Sequence, residues 1–339
     1  MKVENSSPEI VCSGATSSNL RRVCIAFSIP ILALTTSTSI AQEPAGKPIQ
    51  VIAPVGAGGA TDVIVRSMLP AMGEYLKAPL MVENIPGAGG VVGTGAIARS
   101  PNDGSSIGIA TSAALAANPH LQKKLPYNTA KNFSSICRIG TGPYILVVHP
   151  SLNIKTLPEL LSRSKKEDLS FASPGVGSSA HIAQELFKFK TNSNYTHVPY
   201  KGTGQAINDT VGGHTQVLFE APGPLMAHIK AGKLIPLGVS SPTRLKSMPD
   251  IPTFGELGYK DIVLEGWIGL IARAGTPPPI LEKFSQACES ALKQPDVMAQ
   301  AQSLGFEVNF ANASEFDTFM TRENKHWGEV INYSGIKPE

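Results

Sequence analysis

Charge is scarce in this chain. Asp, Glu, Lys and Arg make up 16% of its 339 residues, and the formal net charge is only +3. No basic run occurs, which excludes the electrostatic footprint of a nucleic-acid binder. The low charge is not a mark of disorder, because 42% of the residues are hydrophobic and can fill a sizeable core, in two lobes rather than one. Metal-ligand patterns are missing as well: the seven His are scattered, with no H-E-x-x-H, C-x-x-C or Asp-rich calcium loop. Past residue 41 no apolar segment is long enough to cross a bilayer. Cysteine is sparse, with four residues, of which Cys12 and Cys24 fall in the N-terminal leader. Cys137 and Cys288 could pair in an oxidising compartment, but nothing in the sequence requires it, and two buried free thiols are expected.

Residues 1–41 read as a secretory signal peptide. Arg21 and Arg22 precede an apolar segment, Val23 to Leu34, and Ser39-Ile40-Ala41 resembles a cleavage site before Gln42. The alternative is an uncleaved anchor. The flanks of Arg21-Arg22 fit a twin-arginine signal poorly. Cys24 lies at the start of the apolar run, not after it, which argues against lipid attachment.

Glycine and proline are plentiful, at 32 and 27 residues. The chain is organised around VIAPVGAGGATD, residues 51–62, where a β-rich run feeds a glycine loop and then a helical pattern. That order aims free backbone N–H groups at an anion. Thr61 or Asp62 is placed to cap the helix. The plainer reading is a tight turn that uses glycine only for its backbone angles. Strands at 47–53, 80–82 and 107–110 alternate with helices from Val63 to about Lys77 and through Arg99, the rhythm of a parallel, doubly wound sheet. Residues 118–128 read as a proline-punctuated connection, followed by Lys131-Asn132-Phe133. A strand at 144–149 opens a second βα series: strands at 170–172, 195–198, 216–219 and 235–240, with helices at 182–189, 205–211 and 225–231. A strand at 267–272 returns to the first lobe, followed by helices at 280–293 and from 314 to about 333, the last with a capping-box pattern in Ser314 and Asp317. The expected organisation is an α/β two-lobe clam-shell, each lobe a mostly parallel sheet flanked by helices. Lobe 1 is 42–145 plus 267–339, and lobe 2 is 146–266. The loops at 54–62, 111–113, 173–181 and 199–204 follow strand ends, where open α/β sheets bind ligands.

Three chemistries compete for these loops. Gly56-x-Gly58 and Gly87-x-Gly89 begin a dinucleotide fingerprint, but neither completes G-x-G-x-x-G. Ser178 and Ser179 lie near His181, the makings of a hydrolase, but no G-x-S-x-G elbow is present. Anion binding fits better. The loops at 54–62 and 173–181 each join a strand to a helix start through Gly, Ser or Thr, and two such starts facing across a cleft would hold a small dianion. Lys201 is the one cation in these loops, and it reads equally as a solvated loop charge.

The motifs PVGAGGATD, VENIPGAGGVVG, SPNDG, NPHLQKKLPYNTAKNF, SPGVGSSAHIAQELF, VPYKGTGQAINDTVGGHTQV, HIKAGKLIPLGV and GWIGLIARAGTP stand in one order over roughly residues 45–335. In that order they resemble the extracytoplasmic substrate-binding proteins of tripartite tricarboxylate transporters, the Bug-type receptors. The resemblance implies a periplasmic receptor, not an enzyme, that closes on a small carboxylate and docks on membrane permease subunits. A ligand sensor for a signalling partner is the remaining alternative. A monomer is expected, with no cofactor and no nucleic acid. Carried over by motif, the first-lobe contacts are Val55, Gly58, Gly59, Thr61 and Asp62, with Ser112 nearby. Asp62 is expected to order the loop and not to touch an anion. The second-lobe contacts are Ser173, Gly177, Ser178, Ser179 and His181, with Tyr200, Lys201 and Glu220 lining the cleft. Three positions depart from the family pattern. Position 55 is usually aromatic and here is Val55. Position 273 is usually proline and here is Arg273. Position 220 is often Asp or a small polar residue and here is Glu220, which, ionised and facing the cleft, would disfavour a second carboxylate and favour an amine or amide.

Overall fold

The computed structural model describes residues 46–334. The expected leader, with its arginines and cleavage site, lies outside the described residues. The chain runs β1 (Ile49–Ala53), α1 (Ala60–Leu76), β2 (Leu80–Asn84), α2 (Val91–Ile97), β3 (Ser106–Thr111), a π-helical turn at Ala113–Ala117, α3 (Asn118–Leu121) and β4 (Phe133–Pro143). There follow β5 (Ile145–Val148), α4 (Leu157–Ser164), β6 (Leu169–Ser173), α5 (Ser179–Thr191), β7 (Tyr195–Pro199), α6 (Thr203–Val211), β8 (Val217–Glu220), α7 (Pro222–Lys230) and β9 (Ile235–Val239). The chain ends with β10 (Glu265–Arg273), α8 (Pro278–Leu292), α9 (Pro295–Ser303), β11 (Glu307–Asn312) and α10 (Ala313–Ser334).

These strands form two sheets, one of six strands in the order β11-β4-β10-β3-β1-β2 and one of five in the order β7-β6-β8-β5-β9. The two-lobe α/β architecture expected from the sequence is present. Parallel pairing is confined to part of each sheet: β1 with β2 and β3, and β6 with β7 and β8. Those pairs are joined through helices, as a parallel connection requires. β10 runs antiparallel to β3 and β4, β11 to β4, and β5 to β8 and β9. The chain passes from the first sheet to the second at a single residue, Tyr144, between β4 and β5.

Four elements depart from the sequence reading, the first being the short α3, which lies in the expected connection. β4 was not expected, because FSSICRIGTGP sets Ser and Gly among its isoleucines and lacks a clear alternation. The small residues are required there: a Cβ on Gly140 would sit 2.1 Å from the Glu307 carbonyl oxygen, and one on Gly142 would meet the Phe306 ring at 2.9 Å. α9 and β11 were not expected either. The caps also differ. Gly59, in extended conformation, is the N-cap of α1, so Thr61 and Asp62 lie inside its first turn. At α10 the reciprocal pair is Asn312 with Glu315, whose N–H groups donate to each other's side chains at 3.1 and 3.0 Å, and not Ser314 with Asp317.

The core of the first lobe lies between its sheet and α1, α8 and α9, with Ile64, Met68, Met72, Phe284 and Ala287 buried there. Cys137 on β4 and Cys288 on α8 face each other in this core and form a disulfide, with Cα atoms 6.7 Å apart. This corrects the expectation of two free thiols. Sequence separation, 151 residues, hid the pairing, because β4 went unrecognised and with it the surface on which α8 packs. A cross-link over so long a loop restricts the unfolded chain strongly. Reduction, or Cys288→Ala, is expected to lower the unfolding free energy by about 3 kcal/mol, read from urea curves with and without dithiothreitol. Coincident curves would contradict this.

Candidate ligand-binding site

A cavity of about 540 Å³ lies between the two sheets. Its walls are the loops that follow β1, β2 and β3 on one side and β6, β7 and β8 on the other, together with the start of β10 and the turn before β11. The starts of α1, α5, α6 and α7 all reach it, through Ala60, Ser179, Thr203 and Pro222. First-turn N–H groups of a helix have no partner within the helix. No side chain caps α1 or α6. The cavity therefore collects positive helix ends and unpaired donors, a setting for an anion.

Of the residues singled out in the sequence, Val55, Gly59, Thr61, Ser112, Ser178, Ser179, Tyr200, Lys201 and Glu220 lie on the cavity wall. Gly58, Asp62, Ser173, Gly177 and His181 do not; they hold the wall from behind. The buried Asp62 carboxylate accepts from the Gly58 N–H at 3.0 Å, Arg66 Nε at 2.9 Å and Asn84 Nδ2 at 2.9 Å. Burial alone would raise its pKa, but these hydrogen bonds outweigh burial and hold it below the usual carboxylate range. Asn84 Nδ2 also donates to the Val55 carbonyl at 3.1 Å, so one acidic side chain and its partners shape the whole first loop. Gly58, at φ +80°, supplies the left-handed turn that points its N–H at Asp62.

Behind the second loop, Ser173 Oγ lies 2.7 Å from His197 Nε2 and accepts from the Gly175 N–H at 3.2 Å. The His181 and His197 rings stack with centroids 4.2 Å apart. Burial first, then neighbouring positive charge, depresses both, His181 to about 3 and His197 to about 4. His181 Nδ1 accepts from the Gly177 N–H at 3.3 Å, while Ser178 Oγ caps α5 by accepting from the His181 backbone N–H at 3.2 Å. The imidazole is thus occupied with the loop and not with the Ser178 hydroxyl, contrary to what a hydrolase needs.

The lobes touch across the cavity. Ser112 Oγ lies 3.0 Å from Ser179 Oγ. The buried Asn118 Nδ2 donates to the carbonyls of Gly89 at 3.1 Å and Gly177 at 3.3 Å. A Cβ on Gly89 would stand 2.4 Å from the Gly177 oxygen, so this approach demands glycine. Sequence reasoning had treated Gly87-x-Gly89 only as an incomplete dinucleotide motif. It also missed Asn118, and Tyr144, whose hydroxyl hydrogen-bonds with Ser179 and Ser112 and whose pKa burial pushes up. A tyrosine heading an aliphatic strand directly after G-T-G-P was the available signal. Tyr200 turns its hydroxyl away to donate to Asp209 at 2.7 Å. Lys201 is exposed at the rim. Arg273 is not on the wall; its Nη1 donates to the Ser100 carbonyl at 2.9 Å. Among the described residues no cluster of three or more His, Cys, Asp or Glu is placed to hold a metal.

The model of the tripartite tricarboxylate transporter family receptor matches residues 64–336. The chain belongs to this family. Protein BugT of Bordetella pertussis is 32% identical over 294 residues, covering 86% of this chain and 90% of that protein. A solved periplasmic transporter is 34% identical with a TM-score of 0.83, over 86% of this chain and 98% of the other. MatC from Rhodopseudomonas palustris, solved with bound malate, is 27% identical with a TM-score of 0.80, over 84% and 99% of the two chains. The family is one of solute-binding receptors, not enzymes, so the Ser178–His181 hydrolase reading is set aside on kinship as well as geometry.

Glu220 and the two stacked histidines oppose each other as pH changes. Burial pushes the Glu220 carboxyl up to about 7, against the lowering effect of hydrogen bonds from the Ala221 N–H and the Thr203 hydroxyl. The folded chain then keeps a proton that the unfolded chain releases, so stabilisation present below pH 4.5 is lost as pH rises to about 7. The depressed histidines act the other way: the unfolded chain takes up their protons below pH 6.5, so their stabilisation is lost as pH falls. Glu220→Gln removes the first effect. Relative to wild type it should gain up to about 3 kcal/mol between pH 4.5 and 7, measured by urea unfolding across that range. A constant difference would contradict this.

Proposed function

We propose that this receptor works in the periplasm as a monomer, captures a small carboxylate in the cavity between its lobes, and presents the closed form to a membrane permease. The observation that carries the reading is the convergence of four helix starts, from both lobes, on one cavity where, among the described residues, Lys201 is the only cationic lining residue. Backbone N–H groups and the hydroxyls of Thr61, Ser112, Ser178 and Ser179 would bind the carboxylate without an arginine clamp. The malate in MatC supports the chemical class. Lobes at 42–145 plus 267–339 and at 146–266 would open about the strands near 146 and 267, a hinge motion that admits the ligand. Among the described residues no helix is long and apolar enough to cross a membrane. Docking on a separate permease accords with this.

Thermal unfolding of residues 42–339 against mono-, di- and tricarboxylates, amino acids and aromatic acids tests this reading. A ligand at about 100 times its Kd adds roughly 2.7 kcal/mol and moves the midpoint by about 5–10 °C. A flat panel, with no small molecule retained in native mass spectrometry, would sink it. Closure gives a second prediction. Gly89→Ala should weaken the carboxylate that scores in the panel by roughly 10- to 100-fold in calorimetric titration, the scale of a strained backbone contact. Unchanged affinity would mean that Gly89 and Gly177 do not meet in the bound state.

A further inference from the structure

Among the described residues Glu220 is the one carboxylate on the cavity wall, and its hydrogen bonding is incomplete. It ends β8, buried to 6% exposure, at the start of α7. Its Oε1 accepts from the Ala221 N–H at 2.8 Å and its Oε2 from the Thr203 hydroxyl at 3.2 Å. An ionised carboxylate accepts about four hydrogen bonds, so roughly half of its capacity is left for whatever enters the cavity. Among the described residues no cationic side chain pairs with it. The other titratable groups on the wall are Tyr144, Tyr200 and Lys201. Both tyrosines are held protonated by burial and their surroundings, Tyr200 at about 12, and Lys201 is exposed at the rim.

A buried carboxylate with no cationic partner is costly, and a bound molecule that covers it without pairing it raises that cost. With Glu220 ionised, a second ligand carboxylate set against it would add like-charge repulsion. A donor that carries positive charge does the reverse: it fills the empty acceptor positions and supplies the missing counter-charge. The geometry points to Glu220 as the specificity-determining residue for a ligand that carries an ammonium group as well as a carboxylate, with the ammonium on Glu220 and the carboxylate on the glycine loops. This assignment rests on the receptor reading above. It narrows the ligand class from carboxylates to amino-carboxylates.

The test is calorimetric titration of residues 42–339 at pH 8 with ligand pairs that differ only at one end. Such pairs are succinate against 3-aminopropanoate, glutarate against 4-aminobutanoate, and terephthalate against 4-(aminomethyl)benzoate, with the common amino acids alongside. The tightest ligand should be an amino-carboxylate, bound at least about tenfold more tightly than its diacid counterpart, the scale of a charged hydrogen bond. Glu220→Gln should weaken that ligand about 10- to 100-fold and leave the diacid unchanged or tighter, in protein whose circular dichroism matches wild type. A diacid that binds wild type as tightly as its amino counterpart would overturn the assignment and leave the receptor reading standing, and this comparison needs no variant. Binding by neither class would overturn both.

Discussion

Two backbone segments from different lobes meet at a distance that no side chain allows. Gly89 and Gly177 touch so closely that a methyl group on either would collide with the opposite wall, with the Gly177 oxygen in one case and Asn118 Oδ1 at 2.6 Å in the other. That contact joins the two walls of the cavity. It lets a single amide, Asn118, bind the carbonyls of both loops, and it accompanies the meeting of the Ser112 and Ser179 hydroxyls. Shape complementarity here is achieved by removing atoms, which explains why the cavity walls are so rich in glycine and small hydroxyl residues.

The two acidic residues of the site show how surroundings divide one chemistry into two roles. Asp62 is turned inward to three donors, one of them an arginine, and serves as an anchor for the loop. Glu220 has two neutral donors and full burial, and it faces the cavity. Neither role follows from the residue type. Desolvation acts on both carboxylates, and the number and charge of the donors decide which is held ionised.

Most of the architecture could be read from the chain. The glycine loops after β1 and β6, and the helices that follow them, carry their signals locally: a β-branched run, small residues, then a 3.6-residue apolar period. The same local signals placed the loops at 54–62 and 173–181 at strand ends, on the ligand side of a parallel sheet, and the family motif picked out Thr61, Ser178 and Ser179 within them. What escaped was set by distant partners. β4 is a strand because Phe306 and the β11 backbone fill the space above its glycines. The cysteine pairing follows from β4. Asn118 reads as a loop residue until the two carbonyls that it bridges are brought together by residues 29 and 59 positions away. His181, in α5, was placed at the ligand by its position in the motif, yet its ring stacks on His197 of β7, a partner that periodicity does not reveal.

The Cys137–Cys288 bond has a topological meaning beyond stability. The five-stranded sheet lies wholly between the two cysteines in sequence, so the second lobe is an insertion hung within a covalent ring. A proteolytic cut anywhere in that lobe would leave the two chain fragments in one molecule until the bond is reduced. In an oxidising compartment the receptor can therefore be nicked without its halves separating, whereas the same cut before residue 137 or after residue 288 would leave them held together by packing alone.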